Sequence, residues 1–294
     1  MRWGCQDDEL VGIGAYGGDL SRWLRCGPDA GRAQRRSSDT QAPQAGHVRA
    51  AQSARAGEAG AERRRRPRQA LGGAPIDVTN YHYDNNRTGW NPTETDLTPA
   101  MVKSANFGLL ANLSVDGNVF AQPLLVSNFN MPDNTVHDVL IIVTGHNSIY
   151  ASGAQFYATL WHVNLGQSQS TDDVGCGDVH PEYGISSTPI IVRSGAAATI
   201  YLVAATEPSS YEFHAKLHAL DMSTGQDVKP PVEISPTAQL SDKSVLHFDP
   251  QNQWSRASLV YNIGSLYIGL VPTAITTLMG FQAGCCVTTP ISRL

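Results

Sequence analysis

Three stretches of the 294-residue chain gather side chains able to do chemistry. "DDVGCGDVHPEYG" (172–184) places Asp172, Asp173, Asp178, His180 and Glu182 around Cys176. Carboxylate oxygens at that density suit a Ca²⁺ loop, with Asp173, Asp178 and Glu182 as candidate metal ligands. The plainer alternative is a solvated loop between sheets. "YHYDNNRTGWN" (81–91) gathers His82, Asp84, Asn85 and Arg87 as candidate ligand-facing residues on a strap. Its alternative is closure, with Asp and Asn forming Asx-turns while Tyr81 and Trp90 pack the first sheet. "GIGAYG" (Gly12–Gly17) fits G-x-G-x-x-G, but the fingerprint needs a strand before it and a helix after it. "DDELV" is a poor strand, so dinucleotide binding is not expected there.

Other motifs are absent or isolated. No H-E-x-x-H, P-loop or G-x-S-x-G occurs. The 5 cysteines include no C-x-x-C pair, so a zinc site is not expected. His146 and Asn147 read as turn residues between strands. Asn86-Arg-Thr88 and Asn112-Leu-Ser114 are glycosylation sequons, which matter only in a eukaryotic secretory host. No catalytic set emerges from spacing alone.

Composition divides the chain. Hydrophobic residues make up 41% and charged residues 16%, enough for a packed core. The net charge of −5 argues against nucleic acid as a partner. Residues 1–75 hold thirteen basic residues, all Arg, against eight acidic ones, a net of +5. The remainder holds eight against eighteen, a net of −10. Residues 1–75 also lack sustained periodicity and are expected to be a disordered Arg/Ala/Gly-rich segment. The run Arg63–Arg66 reads as part of a solvated tail, with an anionic-partner patch as the sharper alternative. The codon bias implied by Arg, Ala, Gly and Pro raises out-of-frame or non-coding sequence as another origin. No apolar run is long enough for a membrane span. The first residues carry acids where a signal peptide has bases, so no signal peptide is expected.

The elements that must position these residues begin at Ile76. Runs such as "VLIIVT" (139–144), "PIIV" (189–192), "TIYLVAAT" (199–206) and "SLVYNIGSLYIG" (258–269) are β-branched and bounded by turn residues. They predict an all-β region with no substantial helix. The runs recur. Strands at 121–126, 138–144, 147–151 and 159–166 are echoed at 186–192, 199–206, 216–221 and 227–234, and again from 255 to 269. Equivalent first strands lie 66 residues apart (Pro123 to Pro189) and then 69 (Pro189 to Ser258). Four antiparallel strands per recurring unit predict a partial β-propeller of four-stranded blades.

"LHALDMSTGQDV" (217–228) carries Ala219, Asp221 and Gly225, with Lys229 following. This resembles the outer-strand motif A-x-D-x-x-x-G-x-x-x-W of the PQQ-like, quinoprotein-type β-propeller repeat family. In the preceding unit Ala151 and Trp161 keep the spacing, while Gly153 and Tyr157 replace Asp and Gly. The motif thus survives in halves. Residues 81–99, 119–125, 173–191 and 217–225 together are similar to uncharacterised secreted bacterial propeller proteins, over about residues 76–269. The resemblance implies a Trp that docks one blade on the next and a periplasmic or extracellular location. PQQ and calcium are cofactors it makes possible. Cys285-Cys286 is similar to the vicinal disulfide of quinoprotein alcohol dehydrogenases but lacks its blade context.

The expected organisation is a disordered segment (1–75), an incomplete propeller (76–270) and a non-native tail (271–294). Read two nucleotides later from Val271, the codons of "VPTAITTLMG" can encode Ser-His-Cys-Asp-Asn-Asn-Ala-Tyr-Gly, which resembles a blade's continuation. A frameshift near Leu270 is therefore expected. An open arc of blades is expected to be marginally stable, and its exposed edge is a place for self-association. Two functions follow. One is a non-catalytic propeller fragment binding a ligand or partner, or a product without activity. The alternative is a quinoprotein dehydrogenase-like oxidoreductase using PQQ and calcium.

Overall fold

The structure, a computed structural model, describes residues 76–105, 107–175, 179–239, 242–272 and 285–290. The expectation for 1–75 lies outside the described residues. The described chain is built from strands: β1 (Leu124–Asn130), β2 (Val136–Val143), β3 (Ser148–Gly153), β4 (Thr159–Asn164), β5 (Gln169–Ser170) and β6 (Glu182–Tyr183). Then follow β7 (Ile190–Ser194), β8 (Ala197–Thr206), β9 (His214–Asp221), β10 (Val232–Glu233), β11 (Thr237–Gln239) and β12 (Val245–His247). The last are β13 (Gln253–Trp254), β14 (Val260–Asn262), β15 (Ser265–Pro272) and β16 (Cys285–Pro290). Two single-turn helices, α1 (Pro99–Val102) and α2 (Thr171–Val174), interrupt them.

The strands form successive antiparallel sheets. The first is β1-β2-β3-β4 and the second β7-β8-β9-β10, each a meander in chain order. The third centres on β15, with β14 and β13 paired to it and β16 as a further partner. The fourth strand of the second sheet is shorter than "DVKPPVEI" suggested. Pro230 and Pro231 carry no N–H, so pairing is confined to a bridge at Asp227 and to Val232–Glu233. Cys285–Pro290, inside the expected tail, pairs with Ser265–Leu270 of β15.

Period-2 alternation explains the stacking of the sheets. On β8, Ile200, Leu202 and Ala204 pack with Leu124, Val126, Val139, Ile141 and Ile149 of the first sheet. The intervening Tyr201 and Val203 pack with Leu259, Leu266, Ile268 and Leu270 of the third. The second sheet is therefore buried on both faces, which is why "TIYLVAAT" reads as a continuous apolar run. Each fully buried aliphatic side chain in these layers contributes about 1.5–3 kcal/mol. Face-to-face stacking of antiparallel four-stranded sheets in chain order makes this an all-β, partial β-propeller.

The two halves of the degenerate motif meet between sheets. Trp161 on β4 donates its indole N–H to the carbonyl of Met222, 2.9 Å away in the second sheet's turn. A Cβ placed on Gly225 would stand 2.7 Å from Trp161 Cε3. The Trp of one sheet and the Gly of the next thus form one contact.

Exposed large apolar side chains gather in residues 97–120, including Leu97, Phe107, Leu109, Leu110 and Phe120.

Candidate functional site

The sheets are joined where their first strands begin. The Gln122 N–H donates to Thr188 Oγ1 (3.0 Å), linking the first sheet to the second. The Leu259 N–H donates to the Thr188 carbonyl (3.1 Å), linking the third to the second. Phe120, Ser186 and Arg256 stand four residues before β1, β7 and β14, one strand of each successive sheet. All three line one cavity of about 390 Å³, with Tyr81, Arg87, Thr188, Ala257 and Ser258. That volume lies within the range of small-molecule sites.

Residues 76–91 run to this cavity along the sheet edges. Val78 exchanges backbone hydrogen bonds with Leu125 of β1, and the Ile191 N–H of β7 donates to the Thr79 carbonyl. Asp77 pairs with Arg193 (2.7 Å) and accepts from the Ser127 N–H. The chain then folds into a tight strap with left-handed backbone at His82, Tyr83 and Arg87. Left-handed conformations are costly for residues with a Cβ and persist where their surroundings fix them.

The four strap candidates divide by role. Arg87 lines the cavity and donates to the carbonyls of Tyr81 (2.8 Å) and Leu259 (3.1 Å). Burial draws its pKa below the usual arginine value, partly offset by Asp84 and Tyr81. Asn85 donates to the Tyr261 carbonyl of the third sheet (3.0 Å). The His82 N–H donates to Gln122 Oε1 (3.2 Å), and its ring stacks on Tyr81. Asp84 accepts from the Thr88 hydroxyl and backbone N–H, closing the turn. Those bonds hold its carboxyl below the usual value, led by the Thr88 hydroxyl. His82, Asp84 and Asn85 thus shape and tether the strap, while Arg87 faces the cavity. Trp90, expected to pack the first sheet, is 69% exposed.

Both cavity arginines lie over aromatic rings. The Arg87 guanidinium carbon is 5.6 Å from the Tyr81 ring centroid and that of Arg256 is 5.9 Å from Phe120. Among the described residues no carboxylate forms an ion pair with either. Among the described residues no carboxylate lines the cavity.

The metal candidates do not converge among the described residues. Asp173 lies on α2, where its carbonyl accepts from Gln251 (3.1 Å). Asp178 lies outside the described residues. Glu182 accepts from His146 Nδ1 (2.8 Å) and from the Ser168 hydroxyl. Among the described residues no group of three His, Cys, Asp or Glu is placed to hold a metal.

His146 and Asn147 do more than make a turn. The His146–Glu182 bond lifts the His146 pKa above its ordinary value, and partial burial opposes that. Asn147 is fully buried, with φ +59°, and donates to Ala205 O (2.7 Å) and Gly166 O (3.3 Å). It stitches the β2–β3 turn to β8. The missed residues Phe120, Ser186, Thr188 and Arg256 had one readable signal. Each falls at a fixed offset from the start of a repeated strand.

No family model matches the chain, and no curated protein matches it. Two solved structures are similar in part. BamB from Moraxella catarrhalis is 13% identical, with 62% of this chain aligned to 49% of that one at a TM-score of 0.30. Quinohemoprotein alcohol dehydrogenase from Comamonas testosteroni is 15% identical, with 66% aligned to 35% at a TM-score of 0.34. The chain thus spans about half the length of the first and a third of the second.

Proposed function

We propose that this chain is a non-catalytic PQQ-like β-propeller scaffold that binds a ligand in the cavity beneath the strap. One observation carries the reading: equivalent positions before β1, β7 and β14, together with Tyr81 and Arg87 of the strap, line a single open cavity of about 390 Å³. Such a seat, built from several elements, is the usual form of a small-molecule site. In this reading residues 76–270 are the propeller unit and 271–294 a tail whose β16 caps the last sheet. The exposed edge of the last sheet is the place for self-association in this reading.

The quinoprotein dehydrogenase alternative requires a carboxylate base and calcium ligands beside the quinone. The cavity lining has neither, and the Glu182 carboxylate is engaged elsewhere. The residues present do not fit PQQ–calcium chemistry. The test is a thermal-shift screen of small metabolites, run beside a dye-reduction assay with PQQ, Ca²⁺ and alcohols or sugars. The expected result is stabilisation by at least one metabolite and no dye reduction. Dye reduction with any alcohol or sugar would reverse the assignment.

A further inference from the structure

We propose that the cavity selects small organic oxyanions, a carboxylate or phosphate held between Arg87 and Arg256; this rests on the binding-scaffold reading. The inference starts from charge. Residues 76–294 carry a net −10, so two guanidinium groups in one cavity, neither in a carboxylate ion pair among the described residues, are not a by-product of general basicity; Asp84 acts on Arg87 only through its field. Across most of this surface an anion is repelled. Within a Debye length of about 8 Å at physiological salt, the local pair dominates.

The ring contacts favour the same ligand. A guanidinium lying over an aromatic face keeps its edge N–H groups for hydrogen bonding, and that edge matches the fork of a carboxylate or phosphate. The guanidinium carbons of Arg87 and Arg256 lie 5.6 and 5.9 Å from the ring centroids of Tyr81 and Phe120. Arg87 is further fixed by its bonds to Tyr81 O and Leu259 O, which use two of its five donors. The Thr188 hydroxyl, already accepting from Gln122, retains its own proton to donate. Ser186 donates to the Ser255 carbonyl and so contributes wall rather than a ligand contact. The volume exceeds that of an inorganic ion, so the ligand has an organic body.

The test is isothermal titration calorimetry of the full chain at constant ionic strength. The probes are inorganic phosphate, phenyl phosphate, benzoate and the neutral analogue benzamide. Arg256 is exposed and its ring contact is with Phe120, so Arg256→Gln leaves the fold intact. Phenyl phosphate or benzoate is expected to bind more tightly than inorganic phosphate or benzamide. The tighter of the two identifies phosphate or carboxylate as the preferred head group. Loss of one charge-assisted contact in Arg256→Gln lowers that affinity about tenfold or more. Arg256→Lys is expected to fall between, and Lys229→Gln, an equal change of charge outside the cavity lining, to match the parent. Benzamide binding as tightly as benzoate, with Arg256→Gln without effect, would overturn the oxyanion inference and leave the scaffold reading standing. Absence of binding by every probe overturns the oxyanion inference. If the metabolite screen is also silent, the scaffold reading falls with it.

Discussion

Replacing Gly225 by alanine probes the contact that joins the first sheet to the second. Gly225 has φ +74°, where a Cβ costs about 1 kcal/mol or more. The added methyl would also stand 2.7 and 2.8 Å from Trp161 Cε3 and Cζ3. The indole cannot simply swing aside, because its N–H is held by Met222 O. Overpacking of this kind costs about 1–3 kcal/mol, so Gly225→Ala should destabilise by about 2–4 kcal/mol. Trp161→Ala removes a half-buried ring and one hydrogen bond, about 2–3 kcal/mol. In the double variant the new methyl enters vacated space, and only the backbone share of about 1 kcal/mol remains from Gly225→Ala. The cycle should therefore show a coupling of about 1–3 kcal/mol. Urea unfolding followed by far-ultraviolet circular dichroism supplies the four stabilities. An equal cost of Gly225→Ala in both backgrounds would refute the contact and the stacking inferred from it.

Other perturbations read the remaining joints. Asn147→Ala leaves the buried Ala205 carbonyl without its donor and puts alanine at a left-handed position, an expected loss of about 2–4 kcal/mol measurable by urea unfolding. Asn147→Gly should recover only the backbone share, about 1 kcal/mol. His146 has its pKa raised in the fold by Glu182, so its pairing stabilises fully below the ordinary histidine value of 6.5 and fades as pH rises through the higher folded value. Melting temperature against pH should fall above pH 6.5 in the parent and be flatter in Glu182→Gln; the half-exposed pair limits the effect to under about 1 kcal/mol. Arg87→Met cuts the strap from Leu259 and should speed hydrogen exchange across residues 81–89 while exchange in β8 stays slow.

The sheets were legible where local chemistry writes them. "TIYLVAAT" is apolar on both faces because two neighbours cover it, and Pro123 and Pro189 mark the starts of equivalent strands. Trp161 and Gly225 were visible as two damaged motifs, and only the packing shows that they complete each other. The cavity was harder to read because equivalent offsets carry unlike side chains: Phe120, Ser186 and Arg256 share a place and no chemistry. Pairings such as Arg87 with Leu259 or His146 with Glu182 span 172 and 36 residues, beyond any local pattern. Asn147 looked like an ordinary turn residue because its partner, Ala205 O, is a backbone atom with no side-chain signature. The two prolines after Lys229 were in plain view, yet a full strand was expected over 227–234 and only Val232–Glu233 pair.

The most direct measurement is paramagnetic relaxation enhancement from a nitroxide at residue 256, with the five native cysteines replaced by serine. Residues 120, 186 and 188 come from two other sheets yet line the same cavity as Arg256. Stacked sheets should broaden the amide signals of Phe120, Ser186 and Thr188 together. Broadening confined to neighbours of residue 256 in the chain would contradict the convergence of three sheets on one site.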